Sequence, residues 1–361
     1  MGTPADRICA RLGAELSLCM RSIGVVGLAA LALLAAIQAS SAADRVRVAI
    51  TAGLADAPTI VAKERGYFAQ ENIELEPVVF ASAAQAIVPL ASKELDVAGG
   101  AVSASLYNAI DRGVNLKAVA GRSRTSPGIP YITVFIRKDH IDSGRFKTLA
   151  DLKGMKFALI ARGIAVHALF EAMLKKAGLK PSDVEIVYLD YPQQSVALKT
   201  GGIDATFMGE PYAASLVTEN LGVRFMNTDE IISNYVITVF IYGDTLLKDR
   251  PQVGHRFMKA LLRGIRDYND VLDDKGLMVR AADDIIKAFQ REFKVDQHAL
   301  RTVYSHSVDP NGKINLTSVE ADFEYLKGAK LISGKVSPNA LIDTSFVDKA
   351  VAELGPYERK P

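Results

Sequence analysis

The five residues Ile132-Thr133-Val134-Phe135-Ile136 recur unchanged as Ile237-Thr238-Val239-Phe240-Ile241, 237 − 132 = 105 residues later. The run is rich in β-branched and aromatic residues and reads as a strand. A strand written twice raises the question of duplication, and the residues on either side answer it.

Ahead of the first copy the periodicity predicts strands at Val46 to Thr51, Ile73 to Phe80, Leu95 to Ala98 and Leu116 to Ala120. Helical patterns separate them at Pro58 to Tyr67, Ala83 to Ser92 and Ser103 to Arg112. Ahead of the second copy the order repeats, with strands at Lys156 to Ile160, Val184 to Asp190, Ile203 to Phe207 and Val223 to Met226. Its helical patterns are Ala165 to Ala177, Gln194 to Thr200 and Pro211 to Asn220. The landmarks keep their offset: 156 − 46 = 110 for the first strand and 204 − 96 = 108 for the Asp of LDVA and IDAT. Alternation of strand and helix predicts a helix-covered, mostly parallel sheet, here built twice as two α/β lobes. Each ITVFI is expected to close the lobe it follows. Residues 44–136 and 238–361 then form lobe one and 137–237 lobe two, with two crossing strands as a hinge. After the second copy the chain is mostly helical. Pro251 to Leu272 places apolar residues at 253, 257, 261, 265, 268 and 272 behind an N-terminal Pro, an amphipathic helix. This and the helical patterns after it are expected to pack on lobe one.

The first 43 residues are read apart from the lobes. Arg21 precedes the apolar run Ile23 to Ile37, which ends in Ala39-Ser-Ser-Ala-Ala43; a basic start, an apolar core and a small-residue exit make a secretory signal peptide. Met20 begins a complete signal by itself, so residues 1–19 read as an over-called start. Cys9 and Cys19 both precede the apolar core, which leaves the mature chain without disulfide, thiolate or lipoprotein cysteine. The remaining 361 − 43 = 318 residues carry 43 − 3 = 40 basic and 41 − 2 = 39 acidic side chains. A nearly neutral balance gives no electrostatic reason for a nucleic-acid partner.

Several segments are familiar as a set: Pro58-Thr-Ile-Val-Ala-Lys-Glu-Arg-Gly66-Tyr67-Phe68, Asp151-Leu-Lys-Gly154-Met-Lys-Phe-Ala158, Gly202-Ile-Asp204-Ala205, Glu210-Pro211-Tyr212 and Leu341-Ile-Asp343-Thr-Ser-Phe346-Val. With them the chain resembles the periplasmic solute-binding proteins of ABC importers, in the group that takes nitrate, sulfonates, taurine and thiamine-pyrimidine precursors. It departs from the group's usual pattern at Glu71-Asn72-Ile73 and at Lys93. The resemblance implies the type II two-lobed fold, a periplasmic location, a small-molecule solute and no cofactor. It also implies a monomer that docks on a membrane permease and, through it, serves an ATPase.

Ligands of open parallel sheets bind outside the carboxyl ends of the strands. Those ends carry Gly53, Leu54, Ala55, Asp56, Ser82, Gly100, Val102 and Ser103 in lobe one, and Arg162, Gly163, Gln193, Glu210 and Pro211 in lobe two. Several of these loops run into helix starts, whose free N–H groups favour an anion. Arg162 is the leading candidate, since a guanidinium grips a sulfonate or carboxylate with two donors; a solvated loop charge or a bridge to Asp56 or Glu210 is the competing reading. Ser82 and Ser103 either cap helices or donate to ligand. Asp56 and Glu210 suggest an amino or amide group, with helix capping as the alternative. Arg122 and Arg124 read as surface charges, and Tyr191, Tyr212 and Tyr235 as aromatic surface near the cleft. The expected ligand is a small organic anion, sulfonate- or taurine-like, with a pyrimidine-type heterocycle or aromatic carboxylate as the alternative.

An enzyme is the weaker reading. His140, His167, His255, His298 and His306 show no metal-binding spacing, and Gly121-Arg-Ser123 lacks the second Gly of a nucleophile elbow. Asp309-Pro-Asn311-Gly312 is a turn rather than a calcium loop, because Ile314 stands where that loop needs Gly. A receptor reporting to a membrane sensor is a further alternative to import.

Overall fold

Each copy of ITVFI lies inside a five-stranded sheet, next to a strand that runs the other way. The computed structural model describes residues 42–359 apart from 52, 53, 81, 82, 165, 281, 282 and 294–296. The signal-peptide reading therefore falls outside the described residues, as do Gly53 and Ser82. No helix among the described residues is long and apolar enough to cross a membrane.

In the first sheet, β1 (Asp44–Ile50), β2 (Ile73–Val79), β3 (Val97–Gly100) and β4 (Lys117–Arg124) are joined by helices, among them α1 (Ala57–Glu64), α2 (Ile87–Ala91) and α3 (Ala104–Asp111). β5 (Ile132–Arg137) follows and belongs to the second sheet with β6 (Lys156–Leu159), β7 (Glu185–Tyr188), β8 (Ala205–Gly209) and β9 (Gly222–Asn227). Its helices include α4 (Val166–Lys176), α5 (Tyr191–Thr200) and α6 (Tyr212–Thr218). β10 (Val236–Tyr242) then returns to the first sheet. The strand orders are β2-β1-β3-β10-β4 and β7-β6-β8-β5-β9, so the two sheets are one plan executed twice.

The ITVFI strands are thereby exchanged relative to the sequence expectation. Ile132 to Ile136 does not close lobe one; it pairs antiparallel with β8 and β9, Ile132 opposite Gly209 and Ile136 opposite Ala205 and Val223. Ile237 to Ile241 completes the first sheet instead, Val239 opposite Gly100 and Phe240 opposite Gly99. The reason is connectivity: a strand paired antiparallel between two parallel neighbours must enter from the opposite end of the sheet, and in both cases the chain arrives from the other lobe. The repeated Asp shows the duplication at atomic level. Asp96 Oδ2 accepts from the Arg47 backbone N–H at 2.8 Å, and Asp204 Oδ2 accepts from that of Lys156 at 2.9 Å; each ties the entry of its third strand to the first.

Both faces of both sheets are covered. On lobe one, α7 (Pro251–Val271), α8 (Asp283–Phe293) and α10 (Ser345–Leu354) join α1 over one face, where Phe257, Leu261, Ile265, Phe289 and Phe346 are buried. Gly264 lets α7 approach α1 closely, since a Cβ there would lie 2.5 Å from that of Ala62. The other face holds α3 and α9 (Leu316–Gly328), through Leu106, Val319, Phe323 and Leu326.

Two segments, 125–131 and 228–235, cross between the sheets. They are bonded to each other: the Thr125 N–H donates to Tyr235 O and the Tyr235 N–H to Thr125 Oγ1, both at 2.9 Å. α9 grips the second crossing, with the Tyr235 hydroxyl donating to Asp322 and the Val236 N–H donating to Ser318 Oγ at 3.1 Å. Asp322 is 1% exposed. Burial pushes its carboxyl well above the ordinary range against the opposing effect of the Tyr235 hydroxyl.

Candidate ligand cleft

The carboxyl ends of the two sheets meet across a line of backbone contact. Gly163, buried and at φ +77° in lobe two, accepts at its carbonyl from the Ala104 N–H at 3.2 Å, the first residue of α3 in lobe one. Ser103 and Ile164 form an isolated bridge beside it. Glycine suits this position for its left-handed backbone.

On the lobe-one side, Leu54, Ala55 and Asp56 form a single helical turn before α1. Asp56 is 2% exposed and fully engaged: Oδ2 accepts from the Thr51 N–H at 2.9 Å and Oγ1 at 3.2 Å, and Oδ1 accepts from Arg122 Nη2 at 2.5 Å. Arg122 is thus no surface charge. It lies on β4, 3% exposed, and reaches over β3 into space left by Gly99, whose missing Cβ would stand 2.6 Å from Nε. Gly100 ends β3 and Val102 is core. Ser103 caps α3, accepting from the Leu106 N–H at 3.4 Å.

On the lobe-two side, Glu210 accepts from the Ala214 N–H at 3.1 Å, closing the start of α6, and from Arg224 Nη2. Burial raises its pKa, and Arg224 opposes the rise without overcoming it. Pro211 is the half-buried residue that leads into α6. Gln193 is exposed and exchanges hydrogen bonds with Asp190, a capping box on α5. Arg162 is exposed and forms no ion pair among the described residues; neither Asp56 nor Glu210 turns to it, since each holds another arginine.

Tyr131 joins the two sides. Its phenol feels Arg122 and Asp56 from lobe one and Glu210 from lobe two, and burial lifts its pKa to about 12. Its ring packs 5.5 Å from His306, whose pKa burial and Arg122 depress to about 3. Tyr191 sits against Gly209, and burial, then the nearby Tyr131, disfavours ionisation of its phenol; Tyr212 packs 5.6 Å from it. Tyr235 lies in the hinge, fully buried, and not at the cleft. Sequence reading passed over Arg122, Tyr131, Arg224 and His306 as parts of the site. The available signal for Arg122 was the Gly99-Gly100 pair, which leaves an empty place for a long side chain from another strand of the sheet.

No group of three or more His, Cys, Asp or Glu among the described residues is placed to hold a metal ion. A model of the NMT1-like family matches residues 39–275, about two thirds of the chain.

The chain belongs to the NMT1-like family.

Among similar proteins is a Bacillus subtilis chain named for binding aliphatic sulfonates, 23% identical over 320 residues that span 85% of this chain and 88% of the relative. Among solved structures, the periplasmic nitrate-binding protein NrtA from Synechocystis PCC 6803 superposes with a TM-score of 0.64 at 14% identity, covering 86% of this chain and 89% of NrtA. The desulfurization enzyme DSZB has the same fold, with a TM-score of 0.58 at 13% identity and coverage of 86% and 100%. Members of this two-lobed fold therefore include both binding proteins and an enzyme.

Proposed function

We propose that this chain is the solute-capturing component of an ABC-type importer, secreted to the periplasm, which closes its two lobes on a small organic ligand and presents the loaded form to a membrane permease. The single observation that supports it best is the Ala104–Gly163 hydrogen bond. It joins the two sheet edges where ligands of such sheets bind, and a ligand touching both lobes would shift the balance between open and closed forms.

For the ligand itself, the geometry favours a pyrimidine-type heterocycle or aromatic acid over a sulfonate. Three of the helix starts at the cleft are already supplied with acceptors from this chain: Ser103 and the Gly163 carbonyl at α3, Asp190 at α5, Glu210 at α6. The buried Arg122 and the half-buried Arg224 are each neutralised by a carboxylate. What the cleft offers is phenol and ring surface, from Tyr131, Tyr191 and Tyr212. A second reading, an organic anion held by Arg162, which forms no ion pair among the described residues, draws on the sulfonate and nitrate names of the relatives.

Thermal unfolding against pyrimidines, aromatic carboxylates, alkanesulfonates, taurine and nitrate separates the two. A ligand at about 100 times its Kd adds roughly 2.7 kcal/mol of stability. If the hit is a ring compound, Tyr131→Phe weakens it by about 1 kcal/mol and Arg162→Ala leaves it unchanged; an alkanesulfonate, taurine or nitrate reverses the order, with Arg162→Ala costing about 1.5 kcal/mol or more. Recovery of the hit unaltered by mass spectrometry after long incubation supports a receptor, and a converted product would make it an enzyme. Uptake of the hit into permease vesicles distinguishes import from sensing.

A further inference from the structure

Away from the cleft contact, three rings stack across the junction of the lobes. His167, in the first turn of α4, lies 4.9 Å from Tyr325 between ring centroids and 15° from coplanar, and 5.6 Å from Tyr188 at 32°. Tyr188 ends β7 and so shares lobe two with His167. Tyr325 stands on α9, whose Val319, Phe323 and Leu326 are rooted in the core of lobe one. Tyr325 also lines a groove of about 620 Å³ between α4 and α9, together with Ala168, Ala172, Ala321 and Gly328 among others. The small residues leave open space along the seam beside the rings.

His167 is 3% exposed and its Nε2 has no hydrogen-bond partner among the described residues. The groups around it are the Ala161 carbonyl and the Arg162 guanidinium from the preceding loop, and the phenols of Tyr188 and Tyr325. Glu171, one turn further along α4, acts on Tyr325 and makes no ion pair with the imidazole. An imidazolium formed here would be desolvated, without a carboxylate and beside another cation.

We propose that the His167–Tyr325 stack is a latch between the lobes, made when the imidazole is neutral and released when it takes a proton. The latch is independent of which ligand is bound and goes beyond the importer reading. Burial, then Arg162, holds the His167 pKa down at about 4 in the closed form, against about 6.5 for an exposed histidine. Closing therefore releases a proton. The closed form is favoured above about pH 6.5 and is lost progressively as pH falls towards 4, by roughly 30-fold in the closed-to-open ratio at about pH 5.

The two cysteines are Cys9 and Cys19; with both changed to Ser, spin labels can be placed at Val88→Cys and Val196→Cys, 74% and 62% exposed on the second helix of each lobe. Distances between the labels are measured by pulsed electron resonance in full-length protein without ligand, at about pH 7.5 and about pH 5. The latch predicts a short distance at the higher pH, a growing long-distance population at the lower, a short distance at both for His167→Phe, and a long one at both for Tyr325→Ala. A wild-type distribution that does not move with pH overturns it, as does a His167→Phe protein that opens on acidification like the wild type. Far-ultraviolet circular dichroism establishes that each variant is folded, and His167→Phe decides the matter alone if Tyr325→Ala is not. Because no ligand is present, a failed latch and a failed receptor are told apart: the first shows in the label distances, the second in thermal shifts with the ligand panel.

Discussion

Arg122 and Arg162 show how differently one side-chain type behaves at two addresses. Arg122 is desolvated and holds a desolvated Asp56; removing it strands a buried carboxylate, for which about 3–5 kcal/mol is typical. Arg122→Ala should lower the unfolding free energy by that amount in urea titrations, and Arg162→Ala should leave it within about 0.5 kcal/mol of the wild type. Asp322 makes a second residue-scale test. Its folded pKa is raised by burial, so the folded state holds a proton that the unfolded state gives up above about pH 4. The Asp322 contribution is present below that pH and declines as pH rises, by roughly tenfold in the unfolding equilibrium per pH unit until the folded pKa is reached. Asp322→Asn should flatten that slope in melts taken between about pH 4 and 7, since the amide keeps the acceptor for Tyr235 and has no proton to lose.

At the scale of elements, the strand and helix order was legible because apolar periodicity is local and survives without tertiary context. The helix read as Pro251 to Leu272 is α7, Pro251–Val271, and the sheets contain the expected strands. Which sheet each ITVFI joins was not legible. Both copies carry the same residues, and the choice between sheets depends on where the chain has been, which no window of sequence records. The site divided in the same way. Loop positions followed from the rule about strand ends, whereas the partners of Asp56 and Glu210 come from β4 and β9, 66 and 14 residues distant. Arg224 and Arg122 look like solvated charges until their strands are placed. Packing between elements offers its own prediction. Gly264→Ala puts a Cβ 2.5 Å from that of Ala62 and 2.6 Å from the Pro58 carbonyl, forcing α7 off α1. A loss of about 1–3 kcal/mol is expected, measured by urea denaturation.

For the molecule as a whole, the exchanged strands set the order in which the lobes can be finished. All five strands of the second sheet lie between Ile132 and Asn227, an uninterrupted stretch. The first sheet is split: β10 must come in between β3 and β4 after the entire second lobe has been made. A fragment spanning residues 130–234 should accordingly fold by itself, with cooperative melting by circular dichroism, and a fragment spanning 44–131 should not. As the chain leaves the ribosome or threads a channel, amino terminus first, its opening hundred residues are left with a gap in the middle of their sheet. They must wait, apolar surface and strand edges uncovered, while some hundred later residues pass and settle ahead of them. Until β10 arrives, the first sheet is the part of the chain most open to wrong pairing.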